Sequence, residues 1–168
     1  MFDLVPQPAD WIDRAPIKYR ASREFVASPD EVWTAICRHE HWPEWFGPLS
    51  EVENTSPELD GVGSTRRVIG GGGRLVIDER FVTWERPRSW GFTVTRASRP
   101  LALFVSSLNE RIDLQIVSPD RVRVTYLMGL DPLPRRAPFL RLARRGVVRT
   151  LAQALTDLES FVISWRES

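Results

Sequence analysis

The 168-residue sequence predicts one α+β domain, a curved seven-stranded antiparallel sheet with a long C-terminal helix lying on it. Three observations lead there. From Pro138 onward no proline interrupts the chain, and Leu140, Ala143, Val147, Leu151, Ala154, Leu158, Val162 and Trp165 recur at steps of three and four, the period of one helix face. At 1.5 Å per residue, about 27 residues make a rod of roughly 40 Å, which needs an apolar surface of similar length to lie on. Upstream, short segments alternate polar and apolar residues as half-buried strands do, and the whole chain is too short to expect two cores.

The elements follow in order. Residues 1–16, with Pro6, Pro8 and Pro16, read as an irregular arm with one turn around Trp11 and Ile12, and residues 17–168 as the domain. Ile17 to Ala27 forms a first strand with Ile17, Tyr19, Ala21, Arg23 and Phe25 on one side, so Arg23 either snorkels to solvent at the strand end or faces an internal cavity. Ser28-Pro29-Asp30-Glu31 opens a helix: serine caps it, proline takes the first helical position, and glutamate three residues on completes a capping box. The aromatic stretch around Trp42-Pro43-Glu44-Trp45-Phe46 supplies a second short helical turn. Strands follow at 49–54, 64–69 and 74–84, the last two joined by four glycines that read as a mobile hairpin tip. They do not read as a phosphate loop, because a strand follows rather than a helix N-terminus. Strands at 89–97, 101–117 and 121–130 complete the sheet, and Asp131-Pro132-Leu133-Pro134 breaks the chain before the final helix.

Composition narrows the function. A net charge of +1 does not suit a general polyanion binder, and no nucleic-acid motif is present. The single cysteine, Cys37, excludes an internal disulfide and reads as a buried thiol. The N-terminus lacks the basic and apolar regions of a secretory signal, and no segment approaches the ~18 apolar residues that span a bilayer, so a cytoplasmic location is expected. His39 and His41, two residues apart, cannot share a helix face and have no third ligand nearby; both read as surface residues, and neither a metal nor a cofactor is expected.

Several stretches together resemble the START-like superfamily, which includes polyketide cyclase/dehydrase-like and lipid-transfer proteins: Ala27-Ser-Pro-Asp-Glu-Val-Trp33, Trp42-Pro-Glu-Trp45, Gly61-Val-Gly-Ser64, Glu79 to Phe92, and Arg121-Val-Arg-Val-Thr-Tyr126. No single motif is diagnostic; order and spacing over roughly residues 17–165 carry the likeness. The resemblance implies a helix-grip fold, in which the sheet wraps the C-terminal helix and encloses a cavity for an apolar small molecule. It implies no fixed catalytic residues.

A sheet curled around one helix leaves its centre open unless large side chains fill it, so a pocket of several hundred Å³ is expected. Trp42, Trp45 and Phe46 lie near its expected mouth, and Glu79, Phe81, Trp90, Phe92, Ile112, Met128 and Leu151 are further candidates for contact with a ligand. On the strand from Leu108, Glu110 shares a face with Leu108, Ile112, Leu114 and Ile116. A carboxyl buried there should have a raised pKa and could act as acid, base or hydrogen-bond anchor, unless an inward arginine such as Arg23 neutralises it or it is exposed at the sheet end. Arg67, grouped with Thr65 and Ile69, and Tyr126 complete the candidate catalytic set if the protein is an enzyme. The expected function is binding, or carriage, of a hydrophobic lipid-like or polycyclic molecule. The alternatives are a polyketide aromatase/cyclase or dehydrase and an interaction module whose cavity is filled by aromatic side chains. Arg135, Arg136, Arg141, Arg144, Arg145 and Arg149 mark a solvated face that could also touch a membrane surface transiently.

Overall fold

In the computed structural model, which describes residues 1–166, the chain runs β1 (Phe2–Asp3), β2 (Ile17–Phe25), α1 (Pro29–Cys37), α2 (Trp42–Trp45), β3 (Leu49–Asn54), β4 (Thr65–Gly70), β5 (Leu75–Glu85), β6 (Ser89–Ala97), α3 (Arg99–Ala102), β7 (Val105–Ser118), β8 (Arg121–Pro132) and α4 (Ala137–Arg166). Residues 167 and 168, the end of the expected domain, lie outside the described residues. The main strands pair antiparallel in the order β2-β8-β7-β6-β5-β4-β3, so α1 and α2 carry the chain from one sheet edge to the other. This is the helix-grip architecture.

Local chemistry explains most of the elements. The Ser28 side chain accepts from the Glu31 backbone while the Glu31 side chain accepts from the Ser28 N–H, a reciprocal cap that fixes the start of α1. At 99–102 the chain forms the helical turn α3, with Pro100 in its first turn, in place of the start of the long strand expected from Leu101; β7 starts only at Val105. The glycine run is a tight 3₁₀ turn at Gly71–Gly73, and Gly72 sits at φ 64°, a conformation that favours glycine.

The N-terminal arm takes part in the sheet. β6 and β7 pair only over Ser89–Thr93 and Asn109–Asp113, and beyond that they diverge. β1 enters the gap: Phe2 and Asp3 pair with Ala97 and Arg96, the Leu4 N–H donates to the Thr95 carbonyl, and the Val5 N–H donates to the Ser106 carbonyl. Backbone groups left bare by the splay thereby find partners. The following 3₁₀ turn, Ala9–Arg14, packs so closely on β8 that a Cβ at Gly129 would lie 2.9 Å from Ile12 and Ala15 side-chain atoms.

α4 is divided along its length. Leu151, Ala154, Leu155, Leu158 and Val162 of its second half are buried in the core. In the first half Leu140 and Val147 are only half-buried and Ala143 is exposed. The Tyr19 hydroxyl donates to the Leu140 carbonyl at 2.6 Å and ties this half to β2. Arg23 pairs with Glu159 of α4 at 2.6 Å while keeping nearly half its side-chain surface in solvent, so it is neither a cavity cation nor a partner for Glu110.

An aromatic core fills the end of the sheet under α1 and α2. Trp42 packs on Trp45 and Trp90 at centroid distances of 4.4 and 4.9 Å, and Phe81 on Trp90 at 5.0 Å. His39 belongs to this core, contrary to the surface position expected of it: it stacks on Phe81 at 5.1 Å, and its Nδ1 is 3.0 Å from Asn54 Oδ1. Burial, helped by the Arg66 charge, pushes its pKa down to about 4. His41 does remain partly exposed, beside Glu44.

Candidate functional site

Where the aromatic packing stops, the space between the sheet and the first half of α4 is open. The cavity measures about 260 Å³, and Leu140, Ala143 and Val147 of α4 form one wall. Because Ala143 is itself exposed, the cavity reaches the surface along this stretch of helix.

Of the residues singled out in the sequence, Trp42, Phe46, Glu79, Phe92, Glu110, Tyr126 and Met128 line the cavity. Trp45, Phe81 and Trp90 do not; all three are at most 1% exposed within the aromatic core. Ile112, one inward-facing step along β7 from Glu110, and Leu151, one turn beyond Val147, are likewise core residues. Arg67 requires a correction. It lies on the outer face of β4, where its Nε and Nη2 donate to Asp78 at 2.7 and 3.1 Å. The inward arginine is Arg66, whose neighbour in the ladder is Glu79. A shift of one residue exchanges the two faces of a strand.

Arg66 is 1% exposed, and its Nε donates to Glu79 Oε2 at 2.6 Å. Its guanidinium lies 4.1 Å from the Trp42 ring centroid and 4.9 Å from that of Trp90, so aromatic faces take up part of its charge. Among the described residues its Nη1 and Nη2 have no hydrogen-bond partner. Two buried donors are therefore available to an acceptor in the cavity. Burial pushes the Glu79 carboxyl up while Arg66 pulls against it.

Across Phe92, the ladder neighbour of Glu110, stands the second polar station. The Tyr126 hydroxyl donates to Glu110 Oε2 at 2.5 Å. Burial raises the Glu110 pKa to about 8, the Tyr126 hydrogen bond opposing and the Glu79 charge adding to it. Tyr126 is raised well above its ordinary value by the same burial. At neutral pH Glu110 is thus mostly a protonated acid, able to give a hydrogen bond or a proton to a bound molecule. Cys37 has no such poise, since burial pushes its thiol up to about 12. Among the described residues no group of three His, Cys, Asp or Glu side chains could hold a metal.

Arg66 is the charged cavity-lining side chain that sequence reasoning missed. The available signal was Glu79: a carboxylate facing inward calls for a cation on the adjacent strand.

Comparison with known proteins agrees with the fold. Residues 16–161 match the family described as polyketide cyclase / dehydrase and lipid transport. An uncharacterised protein of Mycobacterium tuberculosis, Rv2574, is 30% identical over 146 residues, 83% of this chain and 84% of its own. A START superfamily protein from Mycobacterium smegmatis superposes with a TM-score of 0.71 at 16% identity, covering 88% of this chain and 98% of that one. The Zhui aromatase/cyclase from Streptomyces sp. R1128 superposes with a TM-score of 0.67 at 14% identity, covering 87% and 93%. At these identities the two structures share the fold, and the activity in the second one's name belongs to that protein.

Proposed function

The chain belongs to the polyketide cyclase / dehydrase and lipid transport family, and from that premise we propose that it binds one compact hydrophobic molecule in the cavity beneath the first half of α4. The observation that carries this reading is an apolar cavity with two polar stations, Arg66–Glu79 and Glu110–Tyr126, rather than a packed core. At about 260 Å³ it lies just below the ~300–1,000 Å³ common for ligand sites. That volume favours a small ring system over a long acyl chain. The free Nη donors of Arg66 and the protonated Glu110 favour a ligand bearing an oxygen acceptor.

Denaturing extraction and mass spectrometry of the purified protein test the reading, with Ala143→Trp as a blocked control whose indole would fill the cavity from its exposed wall. The wild type should release a stoichiometric apolar compound, or bind one equivalent of the ring ketone 2-acetylnaphthalene in a titration; the blocked variant should do neither. Equal behaviour of the two proteins refutes it.

The Glu110–Tyr126 hydrogen bond supports a second reading, a cyclase or dehydrase acting on a poly-ketone substrate. Here Glu110 would move the proton, Tyr126 would hold its carboxyl, and Arg66, in the place expected of Arg67, would steady a developing oxyanion. Under this reading Glu110→Gln should lower turnover by about a hundredfold or more with the ligand still bound. Unchanged turnover removes the catalytic role.

A further inference from the structure

The outward side of the first half of α4 carries an unusual concentration of charge. Between residues 132 and 156 stand Arg135, Arg136, Arg141, Arg144, Arg145 and Arg149 with no aspartate or glutamate, a charge of +6 in a chain whose total is +1, so the remainder carries −5. Among the described residues, Arg141, Arg144, Arg145 and Arg149 form no ion pair. Leu142, 83% exposed, shares one outer stripe with Arg145 and Arg149 by the helical period, opposite the Leu140, Ala143 and Val147 wall of the cavity. Phe139, 56% exposed, flanks it on the same helix. Leu103, 47% exposed, directly precedes Phe104, whose ring lies under the Arg136 guanidinium.

We propose that this face docks on an anionic lipid bilayer, its arginines on the headgroups and Leu142, Phe139 and Leu103 entering the interface between them. The charge segregation orients the molecule in the field of an anionic surface, presenting the basic helix and turning the acidic remainder away. The exposed leucines separate a bilayer from a nucleic acid: Leu142 and Leu103 offer a base no stacking surface, whereas each gains by leaving water for acyl chain and glycerol. Docking in this orientation lays the outer side of the helix that walls the cavity on the membrane. The proposal stands on surface residues alone and does not depend on what the cavity holds.

Cosedimentation with large unilamellar vesicles tests it, using phosphatidylcholine alone and phosphatidylcholine with about a third phosphatidylserine, each at low and high sodium chloride. The protein should pellet with the anionic vesicles at low salt, stay in solution with the neutral ones, and be released at high salt. At about fivefold per charge, Arg145→Gln with Arg149→Gln should weaken partitioning by roughly 25-fold. Leu142→Ser should weaken it by up to about tenfold. None of these residues lines the cavity, so ligand extraction should be unchanged and the two readings fail separately. Absence of binding, equal binding to neutral and anionic vesicles, or variants that bind as the wild type does would each overturn the proposal. So would a single-stranded oligonucleotide bound as tightly as the anionic vesicles with Leu142→Ser without effect, since that pattern describes a general polyanion surface.

Discussion

Replacing Glu110 by Gln should make the protein more stable at mildly alkaline pH, because it removes a proton that the fold holds. In the unfolded chain the carboxyl ionises near its ordinary 4.5, whereas in the cavity burial keeps it protonated to about 8. Between those values the folded state binds one more proton than the unfolded state. The stability that Glu110 contributes is full below pH 4.5, falls by about 1.4 kcal/mol per unit above it, and is lost once pH passes about 8. The interval corresponds to roughly 4–5 kcal/mol. A glutamine keeps an oxygen to accept from the Tyr126 hydroxyl and cannot ionise, so the variant should match the wild type near pH 4.5 and exceed it by about 4 kcal/mol at pH 8. Urea unfolding of both proteins at pH 5, 6, 7, 8 and 9 measures the difference, and any other titrating group cancels because both share it. A difference that stays flat from pH 5 to 8 would refute the protonated state of Glu110 in the cavity.

Two other measurements address the same core. Arg66→Met should cost about 3–5 kcal/mol in urea unfolding, because it leaves the Glu79 carboxyl buried without its cation; adding Glu79→Leu should recover most of the loss, and a double variant as unstable as the single would refute that account. His39, held neutral to about pH 4 in the fold against an ordinary 6.5, contributes stability that is present above 6.5 and lost as pH falls toward 4, about 3 kcal/mol in all. Proton NMR should then show the His39 ring still neutral at pH 5 in the folded protein; a His39 ring titrating near 6.5 would contradict its burial.

Much of this architecture could be read from residue patterns because the signals were local. The Ser28–Glu31 cap, the alternation that turns Glu110 inward and the three-four spacing of α4 each involve residues close in sequence. The failures came where a distant partner decides. Two adjacent arginines in β4 give no sign of the strand's phase, and it is the Arg66–Glu79 pairing, 13 residues apart, that sets it. His39 sits in a segment rich in aromatics on either side, and only the arrival of Asn54 and Phe81 makes a buried position acceptable for an imidazole. The arm looked irregular because two residues of strand carry no periodicity; its place is determined by the gap between β6 and β7. The cavity was expected from the fold, but its end could not be, since tryptophans filling one half and sparing the other is a matter of packing.

The uneven burial of α4 bears on how such a protein can change over time. Its second half is cemented into the core, so substitutions there are paid in foldedness. Leu140, Ala143 and Val147 contribute little to that core and shape the chamber directly. Selection can therefore retune the size and chemistry of the chamber on two turns of helix while the sheet stays as it is, and one scaffold can change its cavity without first losing its stability.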